Sequence, residues 1–272
     1  MSTTVEERTE AYRTRPRSVS QVKQYEQCPF AFYLTRIARE PELQAAWLAQ
    51  GVAVHSAAEE WERSERVMSV PEAQGVFGRV YVRMANEALE AEPAEDGWQA
   101  SGPYTGFTDL ERRWHLGREQ VERYVAWYEK NPDEKIWKSS DGVPAIEQRF
   151  DIEVDGVKVV GFIDQVIDHP KRGPVVRDIK TGVIPMVADT FQLDTYALAL
   201  RQAHGVDCET GDYWSGKTGR PSRARKLGSG AAVVDRFKEM DEGVKAGLFT
   251  PSPSAETCGR CPVQRSCDFA AF

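Results

Sequence analysis

Four of the five cysteines in this 272-residue chain stand at its two ends, Cys28 near the start and Cys258, Cys261 and Cys267 at the finish. A Cys-x2-Cys-x5-Cys tail in a free-thiol chain points to metal ligation. Cys28 completes a set of four thiolates suited to an iron–sulfur cluster or to zinc. A metal held this way closes nearly the whole chain into one loop, which restricts the unfolded state and ties the termini together. Cys208 lies outside this frame and reads as a buried apolar residue.

The composition is that of a globular chain able to bury a substantial core, 41% hydrophobic and 28% charged. No apolar run approaches the roughly 18 residues a membrane helix needs, and residues 1–17 are polar, so neither a membrane span nor a secretory signal is expected. A cytoplasmic setting follows. The net charge of −7 argues against coating nucleic acid by bulk electrostatics, so any such contact must be local.

Residues 1–17 read as a flexible arm and 18–272 as a single domain. Its first part, 18–140, is mostly helical. Ser18 and Gln21 predict a capping box for a helix carrying Val22, Tyr25 and Cys28. Period-3.6 patterns predict helices over about 42–63, which includes His55, and over about 72–92 and 108–130. From Ala145 the period changes to two. Runs 146–154 and 157–167 flank Asp155-Gly156, a dipeptide that tolerates positive φ and predicts a hairpin. A third strand is expected over 174–180, a helix over 190–204 and a fourth strand over 211–215. This core part, 141–230, precedes a last helix at about 231–246 and the cysteine tail, 231–272.

The chemistry concentrates in the third strand. Asp178 and Lys180 are two apart, so strand pleating turns both side chains to one face. Antiparallel pairing brings Asp164 beside them, and Glu147 on the first strand can join. Carboxylates gathered beside a lysine repel one another unless a divalent cation neutralises them, and oxygen ligands favour Mg2+ or Mn2+. Such a cation polarises a phosphate and acidifies a bound water, with Lys180 orienting that water or stabilising charge on phosphorus.

The runs Gly161-Phe162-Ile163-Asp164, Asp178-Ile179-Lys180-Thr181-Gly182 and Gln192-x3-Tyr196 resemble the PD-(D/E)XK nuclease superfamily, in its RecB-like branch. With the cysteine frame, they are similar to the iron–sulfur members of that branch, which include the AddB nuclease domain, CRISPR-associated adaptation nucleases and phage exonucleases. The resemblance implies an α/β fold: a restriction-endonuclease-like core, with a mixed central sheet flanked by helices, a helical N-terminal elaboration and a cysteine cluster joining both termini. It implies metal ligands at His55, Asp164, Asp178 and the Ile179 carbonyl, with Lys180 catalytic. Gln192 and Tyr196 would order the site and touch the DNA backbone, and Glu147 matches an acidic position of variable role. It also favours a [4Fe-4S] cluster over zinc at the four cysteines. A Pro-Asp pair gives the superfamily its name; here Ile163 precedes Asp164.

The resulting expectation is a Mg2+- or Mn2+-dependent exonuclease on single-stranded DNA or DNA ends, in recombination, repair or phage DNA metabolism. It would work in a bacterial or phage-infected cytosol, with a helicase, recombinase or single-strand-binding partner. Two rival readings are a non-catalytic DNA-end-binding module and a zinc-stapled interaction protein. Gly211–Thr218 matches the phosphate-loop pattern, but Gly219, Arg220 and Pro221 break the helix that loop requires. Lys217, Arg220, Arg223, Arg225 and Lys226 form an acid-free basic stretch expected to track DNA phosphates, with Tyr213 or Trp214 available to stack on a base if exposed. His115, His169 and His204 are assigned no role.

Overall fold

The computed structural model describes residues 4–271. In chain order it contains α1 (Val5–Arg13), α2 (Val19–Gln27), α3 (Pro29–Phe32), a π-helical turn (Tyr33–Ala38), α4 (Ala46–Arg63), α5 (Val70–Ala91) and α6 (Gly106–Lys130). Strands β1 (Lys135–Ile136), β2 (Ile146–Val154), β3 (Val157–His169) and β4 (Gly173–Lys180) follow, then α7 (Phe191–His204) and β5 (Thr210–Ser215). Strands β6 (Arg220–Pro221) and β7 (Arg225–Lys226) and helices α8 (Ala231–Ala246) and α9 (Ala255–Cys258) complete the chain. No described helix is long and apolar enough to cross a membrane.

The chain divides into two compact units, a division that cuts across the expected boundaries. One comprises residues up to Leu43, Phe150–Gly161 and Ser229 onward; the other comprises Gln44–Arg149 and Phe162–Gly228. The first unit holds the hairpin tip, where Asp155 and Gly156 take φ of 47° and 80°. From Thr4 to Arg17 it also corrects the expectation of a flexible arm, residues 1–3 lying outside the described ones. Thr4 caps α1 in a reciprocal box with Glu7, Tyr12 is buried, and the Arg17 backbone bridges to Val159. The fully buried Arg17 guanidinium donates to Asp241 Oδ1 at 2.8 Å and to the Tyr12 and Arg13 carbonyls. A buried charge with that many partners holds the segment in place.

The second unit carries most of a mixed sheet of order β1-β3-β4-β5-β6, with β2 on β3 and β7 on β5. Strand β4 runs antiparallel to β3 and parallel to β5, and the parallel pair is joined through α7. Every residue of β4 from Val175 to Ile179 is buried, as expected of a central strand covered on both faces. Helices α4, α5 and α6 supply one cover. Ala49, Ala53, Ala57, Phe77, Tyr124 and Tyr128 pack with Ile167, Val175, Ile179 and Trp214 of the sheet in one core. The small alanines of α4 permit close approach.

Two charged residues interrupt this buried strand on opposite faces. Arg177 faces the helices, where it donates to Asp212 (2.6 and 3.0 Å), Glu134 (2.6 Å) and the Tyr128 hydroxyl (3.1 Å). Replacing it with Met leaves Glu134 without its arginine and Asp212 with only the peripheral Arg172, at 2.8 Å. Arg177→Met is expected to lower unfolding stability by about 3–5 kcal/mol in urea titration; a loss under about 1 kcal/mol would show that the network is not needed for the fold.

Candidate active site

The other charged residue of the buried stretch Val175–Ile179, Asp178, faces the site. Continuing the β3–β4 register by one residue sets Asp164 opposite Asp178, so antiparallel pairing of neighbouring strands brings two buried carboxylates together. Gly161 sits at the closest approach of that motif's backbone to Phe150, whose ring would lie 2.6 Å from any added Cβ. Asp164 Oδ2 accepts from the Ile179 amide at 2.8 Å, which locks its rotamer against β4.

Helix α4 delivers His55 to the same place. Its Nε2 donates to the Ile179 carbonyl at 3.0 Å, and its Nδ1 lies 3.4 Å from Glu147 Oε1 and 3.5 Å from Asp164 Oδ2. His55, Glu147 and Asp164 offer ligand atoms all within 4.8 Å of one another, the single such group among the described residues. An imidazole with two carboxylates is a donor set that fits a divalent cation, with the nitrogen suiting Mn2+ better than Mg2+. Glu147, ranked below the others in sequence, thus stands in the ligand group. Its φ of 45° lies in the left-handed region, a conformation unfavourable for a residue with a side chain.

Asp178 points to a second subsite. Lys180 Nζ lies 2.7 Å from Asp178 Oδ2 and donates to Gln192 Oε1 at 3.1 Å. Gln192 Nε2 in turn donates to Asp178 Oδ1 at 2.6 Å and to the Tyr196 hydroxyl at 2.9 Å. Gln192 and Tyr196, one turn apart on α7, therefore hold the carboxylate and the ammonium in register. The structure brings together all eight site residues expected from sequence: His55, Glu147, Asp164, Asp178, Ile179, Lys180, Gln192 and Tyr196. Sequence reading missed a supporting chain. Buried Gln50 accepts from Arg113 (2.7 Å) and donates to Gln120 (2.7 Å), whose amide donates to the Thr181 carbonyl (2.9 Å) directly after Lys180. Lone glutamines on helices carry no pattern by which to find them.

The electrostatics follow from this crowding. Burial alone lowers the His55 pKa, but Asp164, Glu147 and Asp178 outweigh it and raise it to about 9. Burial, then the charge of Asp178, raises the Asp164 pKa to about 7. Both folded values exceed the unfolded ones, so each contribution to stability is complete below the unfolded pKa and is lost as pH rises through the folded one. The metal-free protein is therefore expected to weaken between about pH 4 and 9. A cation that needs these groups deprotonated competes with protons there. Calorimetric titration with Mn2+ should show affinity about tenfold or more higher at pH 8 than at pH 6, with proton release on binding; a pH-independent affinity would contradict this.

The basic stretch does not form a single loop. Lys217, Arg220, Arg223 and Lys226 are exposed, but Arg225 is buried and so corrected: its guanidinium donates to the carbonyls of Pro185, Met186 and Asp189. Tyr213 and Trp214 are fully buried on β5, so neither can stack on a base. Gly211–Ser215 are strand followed by a turn, not a phosphate loop. In the first unit, Cys28, Cys258, Cys261 and Cys267 line one apolar cavity with Pro251 and Phe269. None of the four forms a disulfide, and burial, with the other three cysteines, raises the Cys261 pKa. Cys208 is half-buried, and burial lifts its thiol to about 12.

Comparison with known proteins gives a consistent result. The profile of the PD-(D/E)XK nuclease superfamily matches residues 16–268. The "Gene 69 protein" of Mycobacterium phage D29 is 41% identical over 263 residues, covering 92% of this chain and 96% of the phage protein. Its counterpart in Mycobacterium phage L5 is 39% identical over 281 residues, covering 92% and 95%. Among solved structures, SSO0001 aligns over 98% of this chain and 95% of its own at 14% identity and a TM-score of 0.40, too slight a likeness to bear on function.

Proposed function

The chain belongs to the PD-(D/E)XK nuclease superfamily, and on that premise we propose that it is a divalent-metal-dependent exonuclease acting on single-stranded DNA or DNA ends. The observation that carries this reading is the joined pair of subsites. His55, Glu147 and Asp164 would hold the cation, and Asp178, which the sequence also names as a ligand, borders them while anchoring Lys180. When bound, the cation supplies Lewis-acid polarisation of the phosphate and a more acidic water. Lys180 Nζ, fixed by Asp178 and Gln192, hydrogen-bonds the attacking water and offsets negative charge building on the phosphoryl oxygens. Gln192 and Tyr196 keep that ammonium from swinging away before the phosphate arrives, which is positioning done in advance of the reaction.

A single strand suits this chain because its exposed cations Lys217, Arg220, Arg223 and Lys226 are few and local on an acidic protein. The chain would take strands supplied by a helicase, recombinase or single-strand-binding partner in recombination, repair or phage DNA metabolism. The phage relatives support a setting in the cytoplasm of an infected bacterium. At the cysteines, a [4Fe-4S] cluster is favoured over zinc. Both metals accept four thiolates, and it is the likeness to the iron–sulfur members of the superfamily that favours the cluster, with Cys28, Cys258, Cys261 and Cys267 lining one cavity to supply its ligands. The deciding assay uses end-labelled linear and covalently circular single-stranded DNA with Mn2+. Release of short products from the linear strand alone supports an exonuclease; cutting of the circle would show endonuclease action, and no cutting of either would favour the scaffold reading.

A further inference from the structure

Residues 181–190 connect catalytic Lys180 on β4 to α7, which carries Gln192, and they are oddly apolar for their position. Val183, Met186 and Val187 are 92, 81 and 80% exposed, and Pro185 and Ile184 lie between them. Exposed apolar side chains grouped this closely mark a contact surface. The segment is also fixed at its root. Buried Arg225 donates to Pro185 O at 2.6 Å, Met186 O at 2.7 Å and Asp189 O at 3.0 Å, so three backbone carbonyls converge on one guanidinium. At the far end the Thr190 hydroxyl donates to Asp194, which also accepts from the Gly228 amide. A loop whose backbone is held along its middle by Arg225 of β7 and at its far end by Asp194 of α7 presents its apolar side chains in a set place.

Two further features place those side chains on the path of a substrate. The Arg225 guanidinium carbon lies 4.6 Å and Lys180 Nζ 5.7 Å from the centroid of the same Tyr213 ring, so the root of the loop and the catalytic ammonium flank one aromatic side chain. Arg223 and Lys226, two residues before and one after Arg225 in sequence, are exposed. The cations thus flank the arginine that holds the apolar segment and that shares the Tyr213 ring with the catalytic lysine. We propose that Val183, Met186 and Val187 form an apolar prong against which the unpaired bases of a single DNA strand lie, while Arg223 and Lys226 hold its phosphates. Met, Val and Pro side chains contact base faces without reading their edges, and unpaired bases meet them without the unstacking cost that wedging into a duplex carries. The prong would make the enzyme selective for single-stranded DNA without sequence preference. This inference rests on the nuclease reading for its substrate, and its test separates the two.

The full chain and the double variant M186S/V187S are compared by fluorescence anisotropy, in Ca2+, on a labelled oligothymidylate and on an abasic strand of equal length. Thermal unfolding checks that the variant is folded; V183S serves as a second, single-site probe. The wild type should bind the thymidine strand about tenfold more tightly than the abasic one, and M186S/V187S should erase that gap while leaving abasic affinity within about twofold. A gap that survives the substitution, or an equal weakening on both strands, overturns the prong, as does a wild type that binds neither strand. Cleavage in Mn2+ is scored separately. A wild type with the expected binding gap that leaves DNA uncut removes the nuclease reading and keeps the prong; an active nuclease indifferent to Met186 and Val187 removes only the prong.

Discussion

Asp178→Asn is expected to reduce cleavage of single-stranded DNA by about a thousandfold or more while leaving the chain folded. The amide keeps the shape of the carboxylate and can still meet Gln192 and Tyr196, which approach at 2.6 and 3.5 Å. What disappears is the charge 2.7 Å from Lys180 Nζ. Without it the ammonium keeps just the Gln192 carbonyl oxygen and the Tyr213 ring face to hold it, and the carboxylate bordering the His55–Glu147–Asp164 group no longer adds to the field that draws a cation. Turnover, rather than substrate affinity, should carry the loss, because the phosphate gains most from Lys180 when its charge is greatest. Residual activity above about a tenth of the wild type would mean that Asp178 lies outside the chemistry and that the metal group works without it. Circular dichroism and thermal unfolding of the variant distinguish this from a failure to fold.

The second large effect concerns the cysteines. Cys28→Ser is expected to bleach the broad absorbance near roughly 400 nm of anaerobically purified protein. It should also lower unfolding stability by up to about 5 kcal/mol, the scale of closing a loop of more than 100 residues. The effect should fall on the unit that contains residues up to Leu43 and from Ser229 onward, where Cys28 also accepts weak hydrogen bonds from Ala31 and Ser252 amides at 3.4 Å. Arg17 and Asp241 tie the same two chain ends together independently, so the unit should loosen rather than vanish. Limited proteolysis should therefore cut the variant first within 229–271. A colourless wild type carrying stoichiometric zinc would replace the cluster with the simpler metal, and a stable, protease-resistant variant would remove the structural role altogether.

Much of this protein was readable before any coordinates. The change of period at Ala145, Asp155-Gly156 between two alternating runs, and the helices at 190–204 and 231–246 all correspond to observed elements, because each is set by local chemistry: pleat, turn and helical stripe. The Asp-x-Lys spacing put its two side chains on one face for the same reason. Residues 4–17 escape a reading from polar composition, which says nothing about a single arginine that finds Asp241 more than two hundred positions away. Arg225 was misread for a related reason. Its neighbours Arg223 and Lys226 are solvated cations, and only its contact with carbonyls of the 185–189 segment turns the same residue type into an internal brace.

From sequence alone came the motif order, the thiol frame and the alternation that gathers Asp164, Asp178 and Lys180, since covalent spacing and strand pleat act over a few residues. Tertiary structure alone decided that Glu147 joins His55 and Asp164 while Asp178 turns to Lys180, that Gln50 and Gln120 brace Thr181, and that Val183, Met186 and Val187 stand in solvent beside the site. Those outcomes depend on which distant side chains a buried charge or carbonyl meets once the core has closed, and no local pattern encodes such a meeting.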